Sequence, residues 1–338
     1  MNEQSTPEVY AKASEVGIDA IPVIDVGKLR GGTLAERLVV ARKIAAACET
    51  VGFFYIINHG VPQGLIDDAF GQNKAFFDQS FEDRMQSAAT LDHWRGYVPS
   101  KLEGEGGAVG GAIETFRFML DLPWDDPDVK IGKPMHMPNR YADHLPGFRE
   151  TSTAYIKAMH ELSADLRRAF ALGLGLAEEW FDPFYNRPLF QQSFLHYRPP
   201  ASQREEDFEI GAGEHRDTGA FTLLMQDETG GLEVGHLEHE WISATPIKGS
   251  FVVNIGDMMM RWTNGRFVST LHRVVNRSMQ PRYSMPYFAN PDYDAIIAPI
   301  PSLVVPGTKV EFEPLHFGQF MYDFYKQGMA YLKSEAAE

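Results

Sequence analysis

The chain has 338 residues, 44% of them apolar, enough to build a large core in one domain or two small ones. Its 46 acidic residues outnumber 31 basic ones, and a formal charge of -15 repels nucleic-acid backbones and anionic lipid headgroups, so no nucleic acid or membrane partner is expected. The single cysteine, Cys48, excludes an intramolecular disulfide, reads as a small buried hydrophobe and points to a reducing, cytoplasmic setting.

Residues 1–20 read as a flexible segment without the apolar run of a secretory signal, and nowhere do about 18 uninterrupted apolar residues suggest a transmembrane helix. IPVIDV (21–26) predicts a strand, ERLVVARKIAAACETVG (36–52) an amphipathic helix, FFYIINHG (53–60) a strand, and QGLIDDAFGQNKAFFDQ (63–79) a second helix. The glycine-rich EGEGGAVGGA (103–112) reads as a loop; it lacks the Lys-Ser/Thr ending of a phosphate-binding loop. A long helix is expected over 147–176, closed by glycines.

From about residue 190 short β-rich runs follow one another: FLHYR, AFTLLMQ, GLEVG, WISATPI, SFVVNIG, RFVSTLHRVVN, RYSMPYFAN and KVEF, punctuated by Gly, Asn and Pro turns. Such spacing predicts a mainly β fold with α: a double-stranded β-helix (jelly-roll) core flanked by helices. No Pro- or Ser-rich linker divides it. One integrated domain is expected, with a mixed helical region over 21–180, the core over 181–312 and a C-terminal helix over 313–338.

In GEHRDTG, His215 and Asp217 are two residues apart, so on extended backbone they share a face and can grip one ion. The strand FVSTLHRVV offers a third ligand, His272, on an inward face with Val268, Thr270 and Val274, Arg273 falling on the other. Two imidazoles and a carboxylate form a facial triad, diagnostic for non-haem Fe(II), that leaves three positions open for an organic chelator and dioxygen. Arg282 and Ser284 share a face of RYSMPYF, and a guanidinium fork beside a hydroxyl suits a carboxylate.

With these residues in view, the chain resembles the isopenicillin N synthase-like family of 2-oxoglutarate/Fe(II)-dependent dioxygenases over nearly its whole length. The likeness rests on IPVIDV, VGFFYIINHGVP, FFDQSFEDRM and RGYVPS, then HRD, GGLEV, NIGD, LHRV and RYSMPYF in order. It implies a jelly roll, with Fe(II), 2-oxoglutarate and O2 as cofactor and co-substrates. It further implies that His215, Asp217 and His272 bind iron while Arg282 and Ser284 bind the distal carboxylate of 2-oxoglutarate. Where many members carry Asn-x-Tyr-Pro this chain has LHYRPP; of His196, Tyr197 and Arg198, alternation allows one set to face the pocket, and Tyr197 is preferred. Tyr97, Phe116 and Arg117 fall in segments that the resemblance places near the substrate opening, with Arg198 a further candidate contact.

The expected reaction oxidises a small molecule, of secondary-metabolite or amino-acid-like character, by hydroxylation, desaturation or ring closure with release of succinate and CO2. An oxidase of the isopenicillin N synthase type that uses no 2-oxoglutarate is an alternative within the family. From other classes come a non-catalytic jelly-roll protein and a zinc hydrolase. A site with open positions and a second anionic anchor favours the oxygenase. A monomer or weak homo-oligomer is expected. The remaining histidines lack partners at ligand spacing, Asp257 reads as a turn residue, and FGQFMYDFYKQGMAYL reads as an amphipathic helix packed on the core or closing its mouth.

Overall fold

The computed structural model describes Ala13 and residues 20–90, 92–100, 113–202, 210–236 and 240–328. The glycine-rich stretch 103–112, most of the segment 1–20 and residues 329–338 of the expected C-terminal helix lie outside them.

In chain order the elements are β1 (Val23–Asp25), α1 (Leu34–Thr50), β2 (Phe53–Ile57), α2 (Gln63–Phe77), α3 (Phe81–Met85), β3 (Gly96–Val98), β4 (Ile113–Met119), α4 (Pro127–Lys130) and α5 (Phe148–Gly173). The β-rich half continues with β5 (Gln191–Tyr197), β6 (Ile210–His215), β7 (Phe221–Gln226), β8 (Leu232–His236), β9 (Glu240–Ser243), β10 (Phe251–Ile255), α6 (Asp257–Trp262), β11 (His272–Val275) and β12 (Arg282–Ala289). Two short strands, β13 (Ile296–Ile297) and β14 (Leu315–His316), lead into α7 (Phe317–Gly328).

Two facing sheets form the double-stranded β-helix. The larger has eight strands in the order β1-β2-β10-β7-β12-β5-β4-β3, the smaller four in the order β6-β11-β8-β9. Alternation along the strands divides the core in two. From β12, Tyr283, Met285, Tyr287 and Ala289 point to the helices, where they join the apolar face of α5 (Phe148, Tyr155, Met159, Leu162, Leu166, Phe170) and residues of α1 and α2. Phe53, Ile113 and Tyr197 instead meet Leu232, Val234, Ile242 and Val274 between the sheets. The large sheet is thus buried on both faces, which is why its strands read as nearly continuous apolar runs.

Helix α1 begins at a capping box, Thr33 accepting from the Glu36 amide while Glu36 accepts from the Thr33 amide. Two differences from the sequence expectations concern strands. KVEF is not a strand: Lys309 to Glu311 are exposed and pair with no sheet among the described residues, so the run lacks a surface to bury. The expected strand FVSTLHRVV is shortened to His272–Val275, with Val268 and Thr270 outside it. Arg273 does fall on the opposite face from His272, yet it is buried as well, held by Glu233 (2.7 Å) and Glu214 (3.0 Å) against the Trp241 ring.

Candidate active site

A cavity of about 200 Å³ lies between the sheets, lined by residues of β2, β4 to β8 and β10 to β12. His215 and His272 are direct cross-strand partners on β6 and β11, and their ring centroids lie 4.2 Å apart. Asp217 follows two residues after the end of β6, where the chain crosses to the large sheet. That crossing is tied by backbone bonds from Gly256 to Ala220, Asp257 to Asp217 and Met258 to Gly219. A Cβ on Gly256 would come within 2.4 Å of the Gly219 carbonyl oxygen, so the crossing needs glycine there.

The three side chains meet. Both imidazole Nε2 atoms stand 3.7 Å from Asp217 Oδ1, and the three candidate ligand atoms lie within 4.8 Å of one another. Each imidazole turns its other nitrogen to a backbone carbonyl: His215 Nδ1 to Gly213 (2.6 Å) and His272 Nδ1 to Thr270 (3.1 Å). A carbonyl can only accept, so each Nδ1 presents a proton to it and each Nε2 is turned toward Asp217. Asp217 Oδ2 accepts from Asn254 Nδ2 (2.7 Å) and from the Thr222 hydroxyl, leaving Oδ1 toward the imidazoles. Burial alone would raise the Asp217 carboxyl, but the two imidazoles and these hydrogen bonds hold it below the usual carboxylate range. His272 is lowered, chiefly because burial disfavours its charged form. A carboxylate and neutral imidazoles are the forms that coordinate a divalent ion.

Arg282, fully buried at the edge of the cavity, donates from Nε to Gly230 O, from Nη1 to Ser284 Oγ (3.1 Å) and from Nη2 to Gln226 Oε1 (3.3 Å). Its guanidinium carbon sits 4.5 Å from the centroid of the Tyr197 ring, its register partner across β5 and β12. No carboxylate forms an ion pair with it among the described residues. A buried cation in that state favours an anionic ligand.

Of the three residues in the HYR segment, Tyr197 alone lines the cavity. His196 lies on the helix side, 2.9 Å from Glu114 and stacked on Tyr283, and Arg198 lies past the strand end, 3.8 Å from Glu114. The expectations for Tyr97 and Phe116 are corrected by alternation. Both are fully buried on the helix side, Tyr97 donating to Glu114 and Phe116 packed on Phe76 and Phe148, whereas Arg117, next to Phe116 on β4, does line the cavity. Unforeseen were Thr222, Asn254, Gln226, Thr115, Gln191 and Ser193. Of these Asn254 carried a signal, as the polar residue in the apolar run FVVNI.

Known proteins resemble this chain over most of its length. The family model for the 2OG-Fe(II) oxygenase superfamily matches residues 189–291, and that for the N-terminal region of non-haem dioxygenases, described from morphine synthesis, matches residues 21–144. A 2-oxoglutarate-Fe(II) type oxidoreductase of Emericella nidulans, hxnY, is 32% identical over 325 residues, covering 94% of this chain and 92% of the relative. A homoarginine-6-hydroxylase of Arabidopsis thaliana is 34% identical, covering 83% and 87%. Among solved structures, a full-length Neurospora crassa protein in complex with alpha-KG and thymine superposes with a TM-score of 0.78 at 28% identity, covering 93% and 98%. The chain belongs to the 2OG-Fe(II) oxygenase superfamily. It is accordingly a 2-oxoglutarate-dependent dioxygenase that uses Fe(II) and O2.

Proposed function

We propose that His215, Asp217 and His272 hold the iron, that Arg282 and Ser284 receive the distal carboxylate of 2-oxoglutarate with Tyr197 packed beneath the guanidinium, and that the remaining cavity admits a small organic substrate. The observation that carries this is the orientation of the donors: both imidazoles and the carboxylate have their outer atoms tied to the protein, so that two Nε2 atoms and Oδ1 converge. Three protein ligands on one face suit a metal that keeps positions open for co-substrate and oxygen.

In a hydroxylation the substrate C–H, 2-oxoglutarate and O2 give the C–OH product, succinate and CO2; desaturation and ring closure are the other outcomes open to this class. Bound Fe(II) supplies the oxygen chemistry. The protein's part is orientation and exclusion: Thr222 and Asn254 fix Asp217, Arg282 fixes the far end of the co-substrate, and Phe53, Leu195, Leu224 and Val274 keep the interior apolar. A small-molecule substrate accords with the size of the cavity between the sheets and with the homoarginine and thymine named for two relatives. The buried free thiol of Cys48 supports a reducing, cytoplasmic setting, in which the protein acts as a monomer or weak homo-oligomer.

The test is anaerobic titration of the Fe(II) protein with 2-oxoglutarate, followed by succinate release on admitting air. A saturable visible charge-transfer band is expected in the parent and in no variant lacking His215, Asp217 or His272. A band undiminished in Asp217→Ala would overturn the ligand assignment.

A further inference from the structure

We infer that Gly211 of β6 is a positioning residue for the co-substrate: by presenting no side chain it seats the Tyr197 ring against the Arg282 guanidinium. The inference rests on the reading of Arg282, Ser284 and Tyr197 as the 2-oxoglutarate end. Tyr197 stands on β5 of the large sheet, and its ring reaches the small sheet at Gly211. A Cβ on Gly211 would lie 2.2 Å from Tyr197 Cδ1 and 2.5 Å from Cε1. Space, and not an unusual backbone, is what calls for glycine here. Gly211 is outside the left-handed region that Gly230 (φ 78°) and Gly231 (φ 89°) occupy just before β8. The other glycine of the strand has no such neighbour, since a Cβ on Gly213 would meet nothing within 4 Å.

The strand is irregular at the same place. Val274 of β11 pairs with Ala212 and Val275 with Ile210, so Gly211 is an extra residue without a partner across that ladder. A bulge of this kind bends the strand, and here the bend coincides with the point where the tyrosine ring abuts the backbone. The register partner of Tyr197 on β12 is Arg282, whose guanidinium carbon lies 4.5 Å from the ring centroid. That guanidinium cannot follow a displaced ring, because Gly230 O, Ser284 Oγ and Gln226 Oε1 hold its three nitrogens from three separate segments. Non-bonded carbon atoms settle roughly 3.5 to 4.0 Å apart, so a methyl group on Gly211 drives the ring back by more than about 1 Å. Tyr197 is buried in one cluster with Ile113, Leu232 and Val274, and its retreat disturbs that packing as well as the surface on which the guanidinium rests.

The experiment is anaerobic titration of the full-chain Fe(II) protein with 2-oxoglutarate, read by the visible charge-transfer band. It compares the parent, Gly211→Ala, Tyr197→Leu and the double variant, with Fe(II) affinity and circular dichroism measured on each. Gly211→Ala should weaken 2-oxoglutarate by roughly 10- to 100-fold, the effect of a displacement of this size, and leave Fe(II) affinity within about 2-fold. Tyr197→Leu removes the ring and should weaken 2-oxoglutarate by roughly 3- to 30-fold. In that background Gly211→Ala should change the affinity by less than about 2-fold, because the methyl group then has nothing to displace. A Gly211→Ala protein that fails to fold while the double variant folds and binds like Tyr197→Leu supports the inference in the same way. The inference falls if Gly211→Ala binds 2-oxoglutarate as the parent does, if its loss is equal in both backgrounds, or if Fe(II) is lost in step. Failure to fold in both backgrounds places the need for glycine in the backbone and also overturns it. A parent without a band overturns the co-substrate reading and this inference together, whereas a parent band with equal losses in both backgrounds overturns this inference alone.

Discussion

The two carboxylate oxygens of Asp217 have different work: Oδ2 is held by Asn254 and Thr222, and Oδ1 faces the imidazoles. A carboxylate free to rotate would share its charge between positions that do and do not reach the metal. Thr222→Val keeps the shape of the side chain and removes one tether, so Fe(II) affinity should fall by roughly 10- to 100-fold with the fold intact, as measured by anaerobic metal titration and circular dichroism. Arg282 is specialised in a different way. Its Nε and both terminal nitrogens are directed by Gly230, Ser284 and Gln226. Arg282→Lys should weaken 2-oxoglutarate by at least about 10-fold and leave the iron in place, since a point charge cannot replace a fork. Equal 2-oxoglutarate affinity in the lysine variant, by titration of the visible band, would contradict that. At this scale the sequence displayed the side chains that alternate on regular strands, such as Arg282 and Ser284. Asn254 showed only as a polar residue in an apolar run and Thr222 was hidden, because what marks both is their shared partner Asp217 on the crossing between β6 and β7.

Among the elements, the α1–β2 junction shows how tightly the large sheet's position is set. Gly52 has φ 70°, and a Cβ there would stand 2.3 Å from the Val268 carbonyl oxygen, on the segment that leads into β11. Gly52→Ala should therefore cost more than about 2 kcal/mol in urea unfolding, by strain and collision together. Within α5 the reverse change is available. Tyr155 is fully buried with no partner for its hydroxyl, so Tyr155→Phe should stabilise by about 1 kcal/mol in the same assay. The helices α1, α2 and α5 were legible because each buries one face and keeps the 3.6-residue period. Strands β3 and β4 were not foreseen, since β4 is buried on both sides and IETFRFM shows no clean apolar alternation. The strand that carries His215, IGAGEH, is masked by its glycines, and KVEF has strand composition without a neighbour.

The molecule as a whole is built around a sheet that draws strands from both halves of the sequence: β1 to β4 join β5, β7, β10 and β12. Chain order therefore gave the list of strands and left their neighbours open, because pairing such as β2 with β10 spans almost 200 residues and follows from no local pattern. Cys48 reports on this integration. It is completely buried in α1 against the sheet, and burial pushes its thiol well above the usual range. Native protein should resist iodoacetamide, label at full rate only in denaturant, and label still more slowly once metal and 2-oxoglutarate are bound; rapid labelling of the native form would show that the helical layer opens independently. The central claim is that one ion sits where β6, β11 and the crossing to β7 meet. It is tested most directly by an anomalous difference map at the iron edge from crystals grown anaerobically with Fe(II). A single peak at bonding distance from His215 Nε2, Asp217 Oδ1 and His272 Nε2 is predicted, and a peak anywhere else, or one that bypasses any of the three, would contradict the account.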